Sequence, residues 1–184
     1  MSRSLHTDPY PLRAARRAPH AVRVRARPAR PGFVHPAGAA DVRRALEFFG
    51  ASATYGLRGV ELRQRPRDAG PVAVAALRVP GIVLLFEQPE PPWVLPGPLT
   101  GDAAARLRRA GALVTGGTAA TRVDWPGATL RDFVLLDGLM HEIGHHTIQH
   151  AANRRRAAAM RTADHERRAD AHAARARAAW AGRC

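Results

Sequence analysis

Lysine is absent from this sequence, cysteine occurs once, and no hydrophobic run is long. The single cysteine, Cys184, excludes an internal disulfide and a cysteine-rich metal site. Apolar runs such as Ile82–Phe86 have the length of a strand, whereas a membrane-spanning helix needs roughly 20 apolar residues. The first residues carry arginines without the apolar stretch of a signal peptide. These absences predict a cytoplasmic protein that does not insert into a membrane.

The positive charge is concentrated at the two ends of the chain. All 29 basic residues are arginines, and the formal net charge is +14. Residues 1–40 carry eight arginines against one acid, and residues 150–184 carry nine against three, whereas residues 41–149 are nearly balanced. Basic ends of this kind can contact phosphates without base selectivity, so non-specific contact with nucleic acid is one interpretation. A solvated tail and a solvated helix face are the alternative.

The chain is long enough for one domain with a hydrophobic core and short for two. Residues 1–36 are dominated by arginine, proline and alanine. Prolines at this density disfavour both helices and sheets, and few side chains remain to form a core. We therefore expect residues 1–36 to be a disordered basic tail that folding does not need, and residues 37–184 to form the domain.

An α+β fold is predicted from the strand-like and helix-like segments that follow the tail. Residues 59–63 alternate apolar and polar side chains, as a half-buried strand does. Residues 72–79 and 82–87 flank a Pro-Gly pair, which is typical of a hairpin. Further predicted elements are helices over 42–49 and 103–110, capped by Asp41 and Asp102, and strands over 93–95, 112–115 and 121–125.

A long helix is predicted from about residue 130 to residue 151. Its large side chains recur at helical spacing: Phe133, Leu136, Met140, Ile143 and Thr147. Gly138 and Gly144 lie inside this helix, where glycine costs about 1 kcal/mol relative to alanine. We therefore expect each glycine to allow another element to pack closely. A final helix is predicted over 163–180, with Asp164 as its cap.

The long helix contains the sequence His141-Glu142-Ile143-Gly144-His145, an HExxH motif. Two histidines four residues apart lie on the same face of a helix and can bind one tetrahedral metal ion. Glu142 is out of phase with the two ligands but next to the open position of the metal. A carboxylate there can take a proton from the attacking water and deliver it to a leaving amine. The spacing therefore predicts a hydrolytic metal site with His141 and His145 as ligands and Glu142 as general base.

Glu166 is the predicted third ligand. His150 lies five residues after His145, which does not fit the six-residue spacing of metzincins. Glu166 and Asp170 share one face of the final helix, because they are four residues apart. Glu166 can then bind the metal while Asp170 accepts a hydrogen bond from the other ring nitrogen of His141.

The motif HExxH followed about 20 residues later by ExxAD resembles the gluzincin metallopeptidases, and the size is similar to that of minigluzincins and ImmA/IrrE-like domains. The resemblance covers residues 112–175. It implies one zinc ion per chain held by His141, His145 and Glu166, with Glu142 as base and Asp170 supporting a ligand histidine. It further implies a zincin-like fold: a small twisted β-sheet packed on the HExxH helix, with the C-terminal helix supplying the third ligand.

The activity implied by this resemblance is hydrolysis of peptide bonds in a protein or peptide substrate, by water that the metal activates. In zincins an edge strand pairs with the extended substrate, and residues 121–125 or 112–115 are the candidates here. Larger gluzincins stabilise the oxyanion with a tyrosine or histidine from a later domain. His146, His172 and Arg168 are the candidates for that role in this chain. The alternative function is a non-catalytic, zinc-binding protein that is regulatory or associated with nucleic acid.

Overall fold

The computed structural model describes residues 22–99, 101–152 and 162–183, and over these ranges the chain has a mixed α+β fold. The strands are β1 Arg23–Ala26, β2 Phe33–Val34, β3 Gly59–Arg63, β4 Ala75–Arg78, β5 Ile82–Phe86, β6 Gln88–Pro89, β7 Trp93–Pro96, β8 Leu113–Gly116 and β9 Ala120–Asp124. The helices are α1 Ala39–Thr54, α2 Gly101–Arg109, α3 Thr129–Phe133, α4 His141–Ala152 and α5 Ala163–Ala181. A π-helical segment, Val134–Met140, joins α3 to α4.

The largest sheet has four strands in the order β1-β3-β5-β4. Strands β1, β3 and β5 run parallel, and β4 pairs antiparallel with β5 to form one edge. The predicted alternation in residues 59–63 is observed, because Val60 and Leu62 point into the core. The predicted hairpin is confirmed as β4 and β5. This sheet packs on the π-helical segment and on α4, which places β4 beside the HExxH motif.

The other strands form two smaller sheets. Strands β7, β9 and β8 form an antiparallel sheet in that order, and β2 pairs with β6. The predicted strands over 93–95, 112–115 and 121–125 are thus confirmed within a residue or two. Trp93 packs edge-on against Trp125, which stacks on Phe133, so this sheet covers the start of the helical layer.

The expected disordered tail over residues 1–36 is wrong for its second half. Strand β1 pairs with β3 over four residues, and β2 pairs with β6. Arg30 forms an ion pair with Glu87, whose side chain is fully buried, and the Arg30 amide donates to the same carboxylate at 2.8 Å. Residues 22–36 therefore belong to the domain, because long-range pairing overrides the local composition. Residues 1–21, the rest of the predicted tail, lie outside the described residues.

The three predicted helix caps lie two or three positions too far along the chain. Helix α1 starts at Ala39, and the Asp41 carboxylate accepts a hydrogen bond from Gly38 at 3.0 Å from within the first turn. Asp102 and Asp164 also lie in first turns, and the hydroxyl of Thr162 caps α5 by accepting from the His165 amide. Acidic residues are favourable there because the helix dipole is positive at its N-terminus.

The predicted long helix is continuous, but its middle is wound as a π-helix. The segment Val134–Met140 lies immediately before His141, and all its residues except Asp137 are buried. Single π-helical turns are rare and occur often at functional sites, because the extra residue shifts the phase of the side chains that follow. Periodicity alone did not predict this change.

Gly138 and Gly144 mark close contacts, as expected, with two different elements. A Cβ atom on Gly138 would lie 3.3 Å from Val74 and 3.5 Å from Ala75, beside β4. A Cβ atom on Gly144 would lie 3.0 Å from the Cα atom of Ala169 in α5. The two glycines therefore allow β4 and α5 to approach the helix that carries the HExxH motif.

Helix α5 packs on α4 and on the π-helical segment through one apolar face. The buried residues of this face are Ala169, Ala173, Ala176 and Trp180. Small side chains at these positions bring the two helix backbones close together, and Glu166 and Asp170 then reach His141. Among the residues that the structure describes, no helix combines the length and apolar character that a membrane crossing requires.

Candidate metal centre

Three side chains from two helices converge on one point. His141 and His145 come from the first two turns of α4, and Glu166 comes from the first turn of α5. The Nε2 atoms of the two histidines are 3.1 Å apart, and Glu166 Oε2 is 3.4 Å from each of them. The structure thus brings together the three residues that the sequence predicted as ligands.

These distances fit a tetrahedral metal ion. Zinc binds histidine nitrogens and carboxylate oxygens at about 2.0–2.2 Å, which places neighbouring ligand atoms about 3.3 Å apart. The three observed separations lie close to this value, and the donors are two imidazoles and a carboxylate. The two histidine nitrogens at 3.1 Å are also within hydrogen-bonding distance of each other, and the equidistant carboxylate adds a third donor atom to the group.

Asp170 holds His141 from the other side of its ring. Asp170 Oδ1 lies 3.1 Å from His141 Nδ1, within hydrogen-bonding distance. A carboxylate at this position keeps the proton on Nδ1 and leaves the Nε2 lone pair directed at the cluster. Asp170 therefore lies where the sequence analysis placed it.

Glu142 lies beside the cluster on the wall of a cavity. The cavity has a volume of about 240 Å³ and is lined by Ala73, Val74, Ala75, Arg106, Asp137, His141, Glu142, Glu166 and Asp170. Glu142 is buried, at 4 % exposed, although it faces this cavity. Glu142 is thus a buried carboxylate that is adjacent in sequence to His141 and lines the same cavity.

The site is closed at its base and open at its rim. The side chain of His145 is 2 % exposed, whereas those of Glu166 and Asp170 are 43 % and 72 % exposed. Helix α4 therefore provides the rigid, buried part of the site, and α5 forms a solvent-facing edge. This arrangement allows a molecule from solvent to reach the ligand atoms.

The remaining candidates lie outside the wall of this cavity. His146 is buried, and its Nε2 atom lies 3.1 Å from the carbonyl oxygen of Tyr55, so it links α4 to the end of α1. Arg168 is exposed on α5. His150 belongs to α4, but its side chain lies outside the described residues.

His172, the third candidate for stabilising the oxyanion, also lies outside the residues that line this cavity. Its ring is half-buried against α4, and its Nε2 atom has no hydrogen-bond partner among the described residues. Burial is the main cause that lowers the pKa of His172, and the nearby charges of Arg175 and His141 lower it further. His172 therefore belongs to the packing between α4 and α5.

The strand next to the cavity is not either of the two that the sequence suggested. Residues 112–115 and 121–125 fall in the β7-β9-β8 sheet, away from the cluster. The cavity is instead lined by Ala73, Val74 and Ala75, at the start of edge strand β4. The order of strands in space, which periodicity does not encode, decided this difference.

Arg106 is a site residue that the sequence analysis missed. It extends from α2 into the wall of the cavity that contains Glu142 and Glu166. In the sequence it is one of three arginines in residues 106–109, and Arg108 and Arg109 are exposed. The sequence feature that distinguishes Arg106 is its position next to the apolar Leu107, which is buried in the structure.

Comparison of the chain with protein-family models, with curated proteins and with solved structures finds no match to any of them. A function for this chain must therefore be argued from its own residues and their geometry.

Proposed function

We propose that this protein is a zinc-dependent metallopeptidase with a zincin-like fold, in which His141, His145 and Glu166 bind one zinc ion per chain. The observation that carries the proposal is the set of three ligand-atom separations, 3.1, 3.4 and 3.4 Å, which match a tetrahedral site. Asp170 supports the same assignment through its contact with His141.

A zinc ion held by these residues supplies Lewis acidity that polarises a carbonyl group and activates water. The protein supplies the proton transfer. Glu142 takes a proton from the attacking water and delivers it to the amine that leaves when the peptide bond breaks. Asp170 keeps the ring of His141 oriented during this process. The buried surroundings of Glu142 and His145 hold these groups in place.

A catalytic zinc ion is favoured over a structural one by the number of ligands. Structural zinc sites are closed by four protein ligands, whereas catalytic sites keep one position open. Among the described residues, no fourth histidine, cysteine, aspartate or glutamate joins the group. The exposed rim formed by Glu166 and Asp170 supports access to the open position.

A peptide substrate is favoured by the strand beside the cavity. Within the described residues, β4 pairs only with β5, so its outer edge offers backbone groups for pairing. An extended peptide can bind such an edge by β-augmentation. Residues 73–75 lead from the cavity into this strand, and a peptide bound there would have its backbone near Glu142.

Two measurements test the proposal. Protein purified without chelators, or reconstituted with zinc, is expected to contain about one zinc ion per chain by elemental analysis. The Glu142→Gln variant is expected to keep its zinc and thermal stability while peptide hydrolysis falls by at least about a hundredfold, the low end for loss of a general base. A peptide library serves as the substrate.

The control is Glu90→Gln, which changes a carboxylate outside the cavity and should leave hydrolysis unchanged. Absence of zinc after reconstitution would contradict the site, and loss of zinc from Glu142→Gln would make Glu142 a ligand. If neither the parent nor the variant cleaves any peptide, the zinc ion is not catalytic and the proposed peptidase activity is contradicted.

A further inference from the structure

Arg106 is the one arginine, among the described residues, that lines the cavity of the candidate metal centre. Its helix, α2, contributes none of the proposed zinc ligands. The other charged groups on the wall include the carboxylates of Glu142, Glu166 and Asp170. Arg106 is therefore a half-buried cation among carboxylates, and the proposed zinc site does not account for its presence on this wall.

The guanidinium of Arg106 is held in place by two contacts. Its Nη2 atom donates a hydrogen bond to the Asp137 carbonyl oxygen at 3.0 Å. Its central carbon lies 5.1 Å from the centre of the Phe133 ring, in a cation-π contact with a side chain that is fully buried. Both contacts are to the helical layer that leads into His141. The charge is therefore fixed relative to the metal centre rather than free to swing into solvent.

Arg106 differs from the half-buried arginines that have a carboxylate within ion-pair distance. Those pairs are Arg30 with Glu87, Arg63 with Glu61, Arg131 with Asp132 and Arg177 with Asp137. No described carboxylate lies within ion-pair distance of Arg106, although the charges of Asp170 and Glu142 act on it from farther away. Burial is the main cause that lowers the pKa of Arg106, and the charge of Arg109 lowers it further, whereas the charges of Asp170 and Glu142 raise it. The cation is therefore desolvated without a direct anionic partner.

The guanidinium of Arg106 lies on the cavity wall outside the group of three candidate ligands. Its hydrogen bond is to the carbonyl oxygen of Asp137, four residues before His141, so it is anchored to the segment that leads into the HExxH motif. Guanidinium groups bind carboxylates with two parallel hydrogen bonds, one from Nη2 and the other from Nε or Nη1, and the bond to the Asp137 carbonyl oxygen uses only one of the two Nη2 hydrogens.

We propose that Arg106 binds a carboxylate of the substrate, either the C-terminus or an acidic side chain next to the scissile bond, and so determines specificity. This inference rests on the proposed metallopeptidase function. It assigns the substrate class: peptides that carry a negative charge close to the bond that is cleaved.

Three thiol ligands that bind zinc test this proposal without a known substrate. Mercaptoacetyl-leucine carries a terminal carboxylate, mercaptoacetyl-glutamic acid α-amide carries a side-chain carboxylate, and mercaptoacetyl-leucinamide carries neither. Titration calorimetry with the zinc-loaded protein measures their affinities. We expect one or both carboxylate compounds to bind about tenfold or more tightly than the neutral amide, as a charged hydrogen bond predicts. The compound with the higher affinity shows whether Arg106 binds the C-terminal carboxylate or a side-chain carboxylate of the substrate.

The Arg106→Gln variant is expected to lose this preference while keeping its zinc content. Arg108→Gln is the matched control, because Arg108 is exposed on the same helix, and it should keep the preference. Arg106→Lys should keep a smaller preference, since it retains the charge without the two parallel donors. This variant also keeps the test decisive if Arg106→Gln does not fold.

Equal affinity of the parent for all three compounds would overturn the proposal, and so would a preference that survives in Arg106→Gln. These outcomes leave the metallopeptidase function intact, because each compound still binds through its thiol. A protein that takes up no zinc, or that binds none of the three compounds when loaded, contradicts the proposed function instead.

Discussion

Asp170 and His141 lie on different helices, yet Asp170 Oδ1 is 3.1 Å from the Nδ1 atom of His141. This contact joins α5 to the first residue of the HExxH motif. It contacts the ring on the side away from Glu166, which lies one turn earlier on α5 and converges with His141 and His145. One helix therefore supplies both the proposed third ligand and the carboxylate that contacts the first.

The Asp170→Asn variant is expected to bind zinc about 10–100-fold more weakly than the parent, because the loss of a carboxylate partner lowers the basicity and order of a ligand histidine. A competition titration with a chromophoric chelator measures the change. Asp164→Asn is the control, since Asp164 lies on the same helix, outside the three-residue group, and pairs with Arg167 on the surface. Equal affinities for the two variants would show that Asp170 does not support the site.

The Glu166→Ala variant is expected to lose more zinc affinity than Asp170→Asn, by at least about a hundredfold, because it removes a ligand rather than a partner of a ligand. The same titration applies. His165→Ala is the matched control, because His165 is adjacent on α5 but outside the three-residue group. If His165→Ala is the more damaging change, the third ligand has been assigned to the wrong residue.

The Arg30→Ala variant is expected to reduce the free energy of unfolding by about 2–3 kcal/mol, because it leaves the buried carboxylate of Glu87 without its ion pair. The value lies below that of a fully buried pair, since the Arg30 side chain is 33 % exposed. Denaturant unfolding monitored by circular dichroism measures it. Arg25→Ala, an exposed position on β1, should change the stability by less than about 0.5 kcal/mol.

Equal stability of the Arg30→Ala and Arg25→Ala variants would contradict the structural role of this pair. It would also support the original prediction that residues 1–36 are not needed for folding. The buried Glu87 predicts the opposite result, because the arginine that neutralises it lies in that segment.

Local spacing along the chain was enough to predict several features of this protein. Two histidines four residues apart on a helix must share a face, and two acids four residues apart on the next helix must do the same, whatever the rest of the chain does. The helices, the hairpin of β4 and β5 and the strands of the smaller sheet follow from periodicity and turn residues in the same way.

Tertiary structure alone decided what depends on contacts between distant segments. Strand β1 forms although its composition is that of a tail, because β3 offers it a parallel partner and Glu87 requires the charge of Arg30. Strand β4, rather than β8 or β9, borders the cavity because Gly138 lets it pack against the π-helical segment. Arg106 looks like its neighbours Arg108 and Arg109 in the sequence, and only the packing of α2 turns it toward Glu142. Burial and pairing energies act between groups that are close in space, and a local pattern of residues does not contain those distances.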